Sequence, residues 1–176
     1  MVHSFDQSLA KSHRQEDAPW WTEVYRRAFP DLRAMVNVRQ DGWAQRGGID
    51  RVLTLGSGKT LTVDEKVREK DYGDVLLEYW SDYERRDPGW VAKDLACDLI
   101  AYAVVPTEKC YLLPFQQLRC VWRTNGRDWV RRFKKIEALN AGRSGGTYTT
   151  VSVAVPTETL LDGMRDVLCV AWSQPS

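Results

Sequence analysis

Residues 47–68 read Gly47-Gly48-Ile49-Asp50-Arg51-Val52-Leu53-Thr54-Leu55-Gly56-Ser57-Gly58-Lys59-Thr60-Leu61-Thr62-Val63-Asp64-Glu65-Lys66-Val67-Arg68. Two runs rich in apolar and β-branched residues, 49–55 and 60–68, flank a Gly-Ser-Gly, which is the pattern of a β-hairpin. Loop length then decides register. A two-residue loop of Ser57 and Gly58 sets Asp50 opposite Glu65, whereas a three-residue loop, Gly56-Ser57-Gly58, sets Asp50 opposite Asp64. The second register, or a bulge that compensates for the first, is expected. Side chains alternate along a strand, so Asp64 and Lys66 share one face while Val63, Glu65 and Val67 share the other. Gly58-Lys59-Thr60 also matches the end of a phosphate-binding loop. That motif needs a glycine where Leu53 stands, and it opens a helix where Leu61-Thr62-Val63 continues as a strand, so a hairpin turn with a solvated lysine is the better reading.

In the expected register Asp50 and Asp64 approach each other with an ammonium one step away. Like charges at that range raise a pKa or hold a cation. A hard divalent ion such as Mg²⁺ prefers oxygen ligands and keeps several waters, so two carboxylates and a carbonyl form a plausible half-shell. Lys66 would stabilise negative charge developing on a scissile phosphate, a chemistry suited to attack of water on a phosphodiester. An Asp-x-Lys on a strand is also common as a solvated salt bridge, and that reading stands beside the first.

The rest of the composition narrows the options. The chain has 176 residues, formal charge +1, eight Trp and two His, and both histidines, His3 and His13, lie in a polar leader. No imidazole follows Arg14, so a Ser-His-Asp triad, a His-dependent nuclease or a His-rich zinc site has no place in the folded body. Four cysteines without a C-x-x-C pair, within runs such as Leu95-Ala96-Cys97, read as buried free thiols of a reducing compartment. No run approaches a membrane span and no signal-peptide core opens the chain, so a cytoplasmic protein without a membrane partner is expected.

Working outward, residues 1–18 read as a flexible arm and 19–176 as a single α/β domain. Asp17-Ala18-Pro19 opens a helix carrying Trp20, Trp21, Val24, Tyr25 and Ala28 at helical spacing, with Glu23 beside that stripe. Val36 and Val38 lead into a Gly-rich approach to the hairpin. Strands are expected at 74–80, 98–105, 110–113, 148–155 and 167–171. Helices are expected at 90–97, from Pro114 through Trp122, at 128–139 and at 157–164, with a flexible loop at 141–146. The order describes a mixed central sheet flanked by helices.

At this point the residues resemble a family. The helix bearing Glu23, then Gly48-Ile49-Asp50, then Asp64-Glu65-Lys66, is similar to the PD-(D/E)XK nuclease superfamily, with its restriction-endonuclease-like fold. Its members carry an acidic residue on the first helix, an Asp at a strand start and a (D/E)-x-K on the next strand. The resemblance covers roughly 19–121, and Ile49 stands where the family's motif has Pro. It implies Asp50 and Asp64, with Glu65 beside them, as ligands of Mg²⁺ or Mn²⁺. It further implies Lys66 as the catalytic lysine, Glu23 as an additional metal or water ligand, and DNA as the partner. Glu78 could face the same cleft, although a surface carboxylate is the plainer reading.

Charge is segregated along the chain. Residues 117–143 hold eight basic residues against two acidic ones, a net +6, whereas 64–87 carry a net −4. The basic stretch, with Arg127, Arg131, Arg132, Lys134 and Lys135, is the expected phosphate-tracking surface. Trp122 and Trp129 flank it at a helical spacing that favours core packing over stacking on bases. Two other functions stay open: the same fold as an inactive nucleic-acid-binding module, and an interaction protein that uses aromatic surface. A homodimer is an open assembly.

Overall fold

The computed structural model describes residues 18–142 and 146–173. The arm expected at 1–18 lies outside the described residues except for Ala18, as do both histidines and Arg143. In chain order the elements are α1 (Trp20–Ala28), β1 (Leu32–Asn37), α2 (Gly42–Arg46), β2 (Arg51–Leu55), β3 (Thr60–Arg68), β4 (Asp74–Asp82), β5 (Asp87–Pro88), β6 (Leu99–Val104), β7 (Lys109–Pro114), α3 (Phe115–Arg132), β8 (Lys135–Ala141), β9 (Thr147–Pro156), α4 (Thr157–Asp162) and β10 (Leu168–Ala171). The protein is mixed α/β. The chain divides into two compact units, one built from Pro19–Tyr72, Asp94–Leu118 and Met164–Ser176, the other containing Gly73–Lys93 and Arg119–Gly163.

The first unit holds a six-stranded sheet in the order β1-β2-β3-β6-β7-β10. Its neighbours are antiparallel except β3 and β6, which run parallel, so the sheet is mixed. Residues 100–104 of β6 are all buried, as befits a central strand whose sequence is a continuous apolar run. Helix α1 buries Trp20, Trp21, Val24 and Tyr25. Trp20 stacks on Trp172 just beyond β10 at 4.5 Å and Trp21 on Tyr25 at 5.7 Å. Each such ring removes about 150–250 Å² from water, so this stripe dominates the attachment of α1.

A parallel pair requires a crossover of a dozen or more residues, most often a helix. The expected helix at 90–97 is not what forms. Residues 90–93 make one turn and 94–97 adopt no regular element, because the amides of Ala96 and Asp98 donate to Gly47 and Thr62, partners that a helix would forfeit.

The second unit holds a four-stranded antiparallel sheet in the order β5-β4-β9-β8. Val75, Leu77, Val151, Val153, Val155 and Leu160 are buried there, the strand residues alternating along β4 and β9 as the period of two requires. The helix expected at 128–139 is also corrected. Helix α3 runs without a break through Thr124-Asn125-Gly126, whose turn chemistry is absorbed locally. Thr124 Oγ1 donates to the Cys120 carbonyl and Asn125 Nδ2 to that of Val121, each at 3.1 Å. Gly126 is required in mid-helix because a Cβ there would lie 2.9 Å from the Trp122 ring. Residues 135–141 then form β8, paired along its whole length with the β-branched strand β9, so tertiary pairing overrides the helical spacing of Ile136.

All four cysteines are free, but only Cys97 and Cys110 are buried, while Cys120 and Cys169 are exposed. Among the described residues no helix is long and apolar enough to cross a membrane.

Candidate active site

The β2–β3 register pairs Arg51 with Val63, Val52 with Thr62 and Thr54 with Thr60, leaving the three-residue loop Gly56-Ser57-Gly58. This is the register that brings Asp50 to Asp64. Asp50 sits just before β2, with its amide donating to the Val63 carbonyl at 2.8 Å. Its Oδ2 accepts from the Glu65 amide at 2.7 Å, which holds the carboxylate against β3. The approach depends on Gly48, whose φ of +66° suits glycine and whose Cβ, if present, would lie 2.8 Å from the Leu95 side chain.

Asp64 projects from the middle of β3, almost fully buried, and the register sets its carboxyl beside that of Asp50. Lys66 Nζ lies 2.5 Å from Asp64 Oδ1. Burial pushes the Asp64 carboxyl up to about 6, the Lys66 ammonium opposes that rise, and the Asp50 charge adds to it. Beside this pair is the buried Cys97 thiol, pushed up to about 12 by burial first and then by Asp64. Burial and the neighbouring carboxylate thus both favour the neutral thiol of Cys97 over the thiolate.

Glu65 occupies the opposite face of β3. Its side chain is wholly buried and accepts from Tyr25 Oη at 2.7 Å, Arg51 Nε at 2.6 Å and Arg39 Nη2 at 2.5 Å. Arg39 also reaches Asp50 Oδ1 at 3.3 Å and so spans the two carboxylates. Tyr25 is raised well above the usual phenol range, by burial first and then by Glu65. Arg39 and Tyr25 escaped the sequence reading. Arg39 lies in a polar segment without periodicity, and Tyr25 is indistinguishable in sequence from the other members of its apolar stripe.

Three of the four residues assigned to catalysis, Asp50, Asp64 and Lys66, thus come together. Glu23 is engaged elsewhere, with Arg27 Nη2 at 2.5 Å and the Ser173 amide at 3.4 Å. Among the described residues no group of three or more His, Cys, Asp or Glu is placed to hold a metal ion. The donors that fit a hard cation are the two carboxylates of Asp50 and Asp64, enough for an ion that keeps most of its waters. Glu78 belongs to the four-stranded unit, opposite Ser152 on β9.

Of the basic residues, Arg131 and Arg132 are exposed on α3 and pair with Asp128 at 3.4 and 3.0 Å. Lys134 lies in the turn after α3, Lys135 opens β8, and both are exposed. Arg127 lines a cavity with Arg119 and Arg123. Comparison with protein-family models, with curated proteins and with solved structures found no match to this chain.

Proposed function

We propose that Asp50, Asp64 and Lys66 form the hydrolytic site of a metal-dependent nuclease acting on DNA phosphodiester bonds, on a restriction-endonuclease-like fold. The observation that carries this reading is the Asp50–Asp64 contact with Lys66 seated on Asp64. Two carboxylates held together, Asp64 buried and Asp50 half-buried, need a proton or a cation, and a lysine beside them serves phosphoryl chemistry. Asp50 at a strand start and Asp64-Glu65-Lys66 on the next strand agree with the resemblance noted in the sequence. Bound Mg²⁺ or Mn²⁺ would supply Lewis-acid polarisation of the phosphate and a water acidic enough to attack it.

The chain's own residues do the rest. Asp50, held by the Glu65 amide and Arg39, presents one fixed carboxylate edge. Asp64 presents the second from a rigid strand. Lys66, with its side chain 30% exposed, can reach a phosphate oxygen while staying close to Asp64 and stabilise the charge that builds as the sugar oxygen leaves. Cleavage of single-stranded, duplex and branched DNA in Mg²⁺ or Mn²⁺, compared with Asp64→Asn and Lys66→Ala, tests the assignment. Unchanged cleavage in both variants removes it.

One observation favours a second reading, an inactive nucleic-acid-binding module. Lys66 and Arg39 already offset much of the negative charge of Asp64 and Asp50. Salt-sensitive DNA binding with no cleavage in either metal would select that reading.

A further inference from the structure

The four-stranded unit carries a cavity of about 470 Å³ that takes no part in the carboxylate chemistry. Its wall is one face of α3. Arg119, Arg123 and Arg127 follow one another at intervals of four residues, so their Cα atoms rise by about 6 Å each along the axis. Trp122 lies among them, and Tyr79 approaches its ring at 6.0 Å. None of the nine lining residues is acidic, so the cavity selects an anion.

The Trp122 ring is held in place. It lies over Gly126, where any side chain would collide with it, and touches Trp129 at 6.4 Å on the same helix. It nevertheless stays partly open to solvent, as does Tyr79, whereas Arg123 and Arg127 are exposed. Fixed aromatic surface beside a row of guanidinium groups is the combination that takes an unstacked base together with its phosphates.

We propose that this cavity binds an unpaired nucleotide of single-stranded nucleic acid, with the base against Trp122 and the flanking phosphates on Arg119, Arg123 and Arg127. This goes beyond the hydrolytic reading and does not rest on it, because the residues involved belong to the other unit. It also relocates the anion-binding row from Arg131 and Arg132, which Asp128 partly neutralises, to the opposite end of the basic stretch.

The test uses the full chain with Asp64→Asn, in EDTA, so that loss of cleavage and loss of binding are separate results. Fluorescence anisotropy of a labelled oligothymidylate is compared with that of an abasic strand of equal length. The intact strand should bind roughly tenfold more tightly, the size expected for one stacked base. Trp122→Ala should remove that difference. Because Trp122 also packs against Tyr79 and Trp129, the exposed pair Arg123→Glu and Arg127→Glu provides a second arm, expected to weaken both strands and flatten their salt dependence. Equal affinity for intact and abasic strands in the unaltered cavity overturns the proposal. So does an unchanged affinity in the charge variants, or competition by polyglutamate as effective as that by unlabelled oligothymidylate.

Discussion

Asp64 and Glu65 are neighbours on β3, both carboxylates and both buried, yet their two faces of the strand are solved in opposite ways. Glu65 is surrounded by Arg39, Arg51 and the Tyr25 hydroxyl, so its negative charge is matched and its oxygens are bonded. Asp64 faces a second carboxylate with one lysine between protein and solvent. A buried charge with complete partners is a structural element that is costly to disturb. A buried charge left in conflict with its neighbour is the kind that marks a site of chemistry.

Replacing Glu65 should break the saturated face with the largest effect. Glu65→Ala leaves Arg39 and Arg51 against each other in a largely buried site, and urea denaturation should show a loss of about 3–5 kcal/mol. A loss below about 1 kcal/mol would mean that water already reaches these guanidinium groups.

On the other face, the same measurement at neutral pH should show Lys66→Ala folded but less stable by about 1–3 kcal/mol, because the buried Asp64 loses its cation, while metal-dependent cleavage falls by about 10²-fold or more. Full cleavage by the folded variant would make Lys66 a structural partner of Asp64 and nothing more.

The third contrast is one of pH. The Asp64 carboxyl is raised from 3.8 to about 6, so the folded chain disfavours its ionised form. The stability associated with protonated Asp64 is complete below pH 3.8 and is lost as pH rises through about 6. In EDTA at pH above 7, Asp64→Asn should therefore be more stable than wild type by about 2–3 kcal/mol, with the gap closing towards pH 4. A gap that does not change with pH would show that Asp64 is not strained. The smallest effect is expected from Tyr25→Phe, which removes one hydrogen bond to the Glu65 carboxylate and should cost about 1.5 kcal/mol.

Much of this was legible from residues 47–68 alone. Strand alternation separated Asp64 from Glu65, and the three-residue loop set the register that brings Asp50 to Asp64. Local turn chemistry was reliable at Pro114, just before the start of α3, and misleading at Thr124-Asn125-Gly126. There side-chain hydrogen bonds to the preceding turn, and a glycine placed for the Trp122 ring, keep the helix whole. The apolar spacing of 128–139 and 90–97 favoured helices, but inter-strand pairing in one case and amide bonds to Gly47 and Thr62 in the other outweighed propensities of less than about 1 kcal/mol per residue.

By itself the sequence determined the hairpin, narrowed its register to two loop lengths and excluded imidazole chemistry from residues 15–176, because these depend on short-range spacing and on residue identity. Only the tertiary structure decided that Glu65 is bound by Arg39 and Arg51, that Glu23 turns to Arg27, and that three arginines of α3 share a cavity with Trp122. A carboxylate's role is set by the charges and desolvation around it, and those are supplied by residues far along the chain that only folding brings within reach.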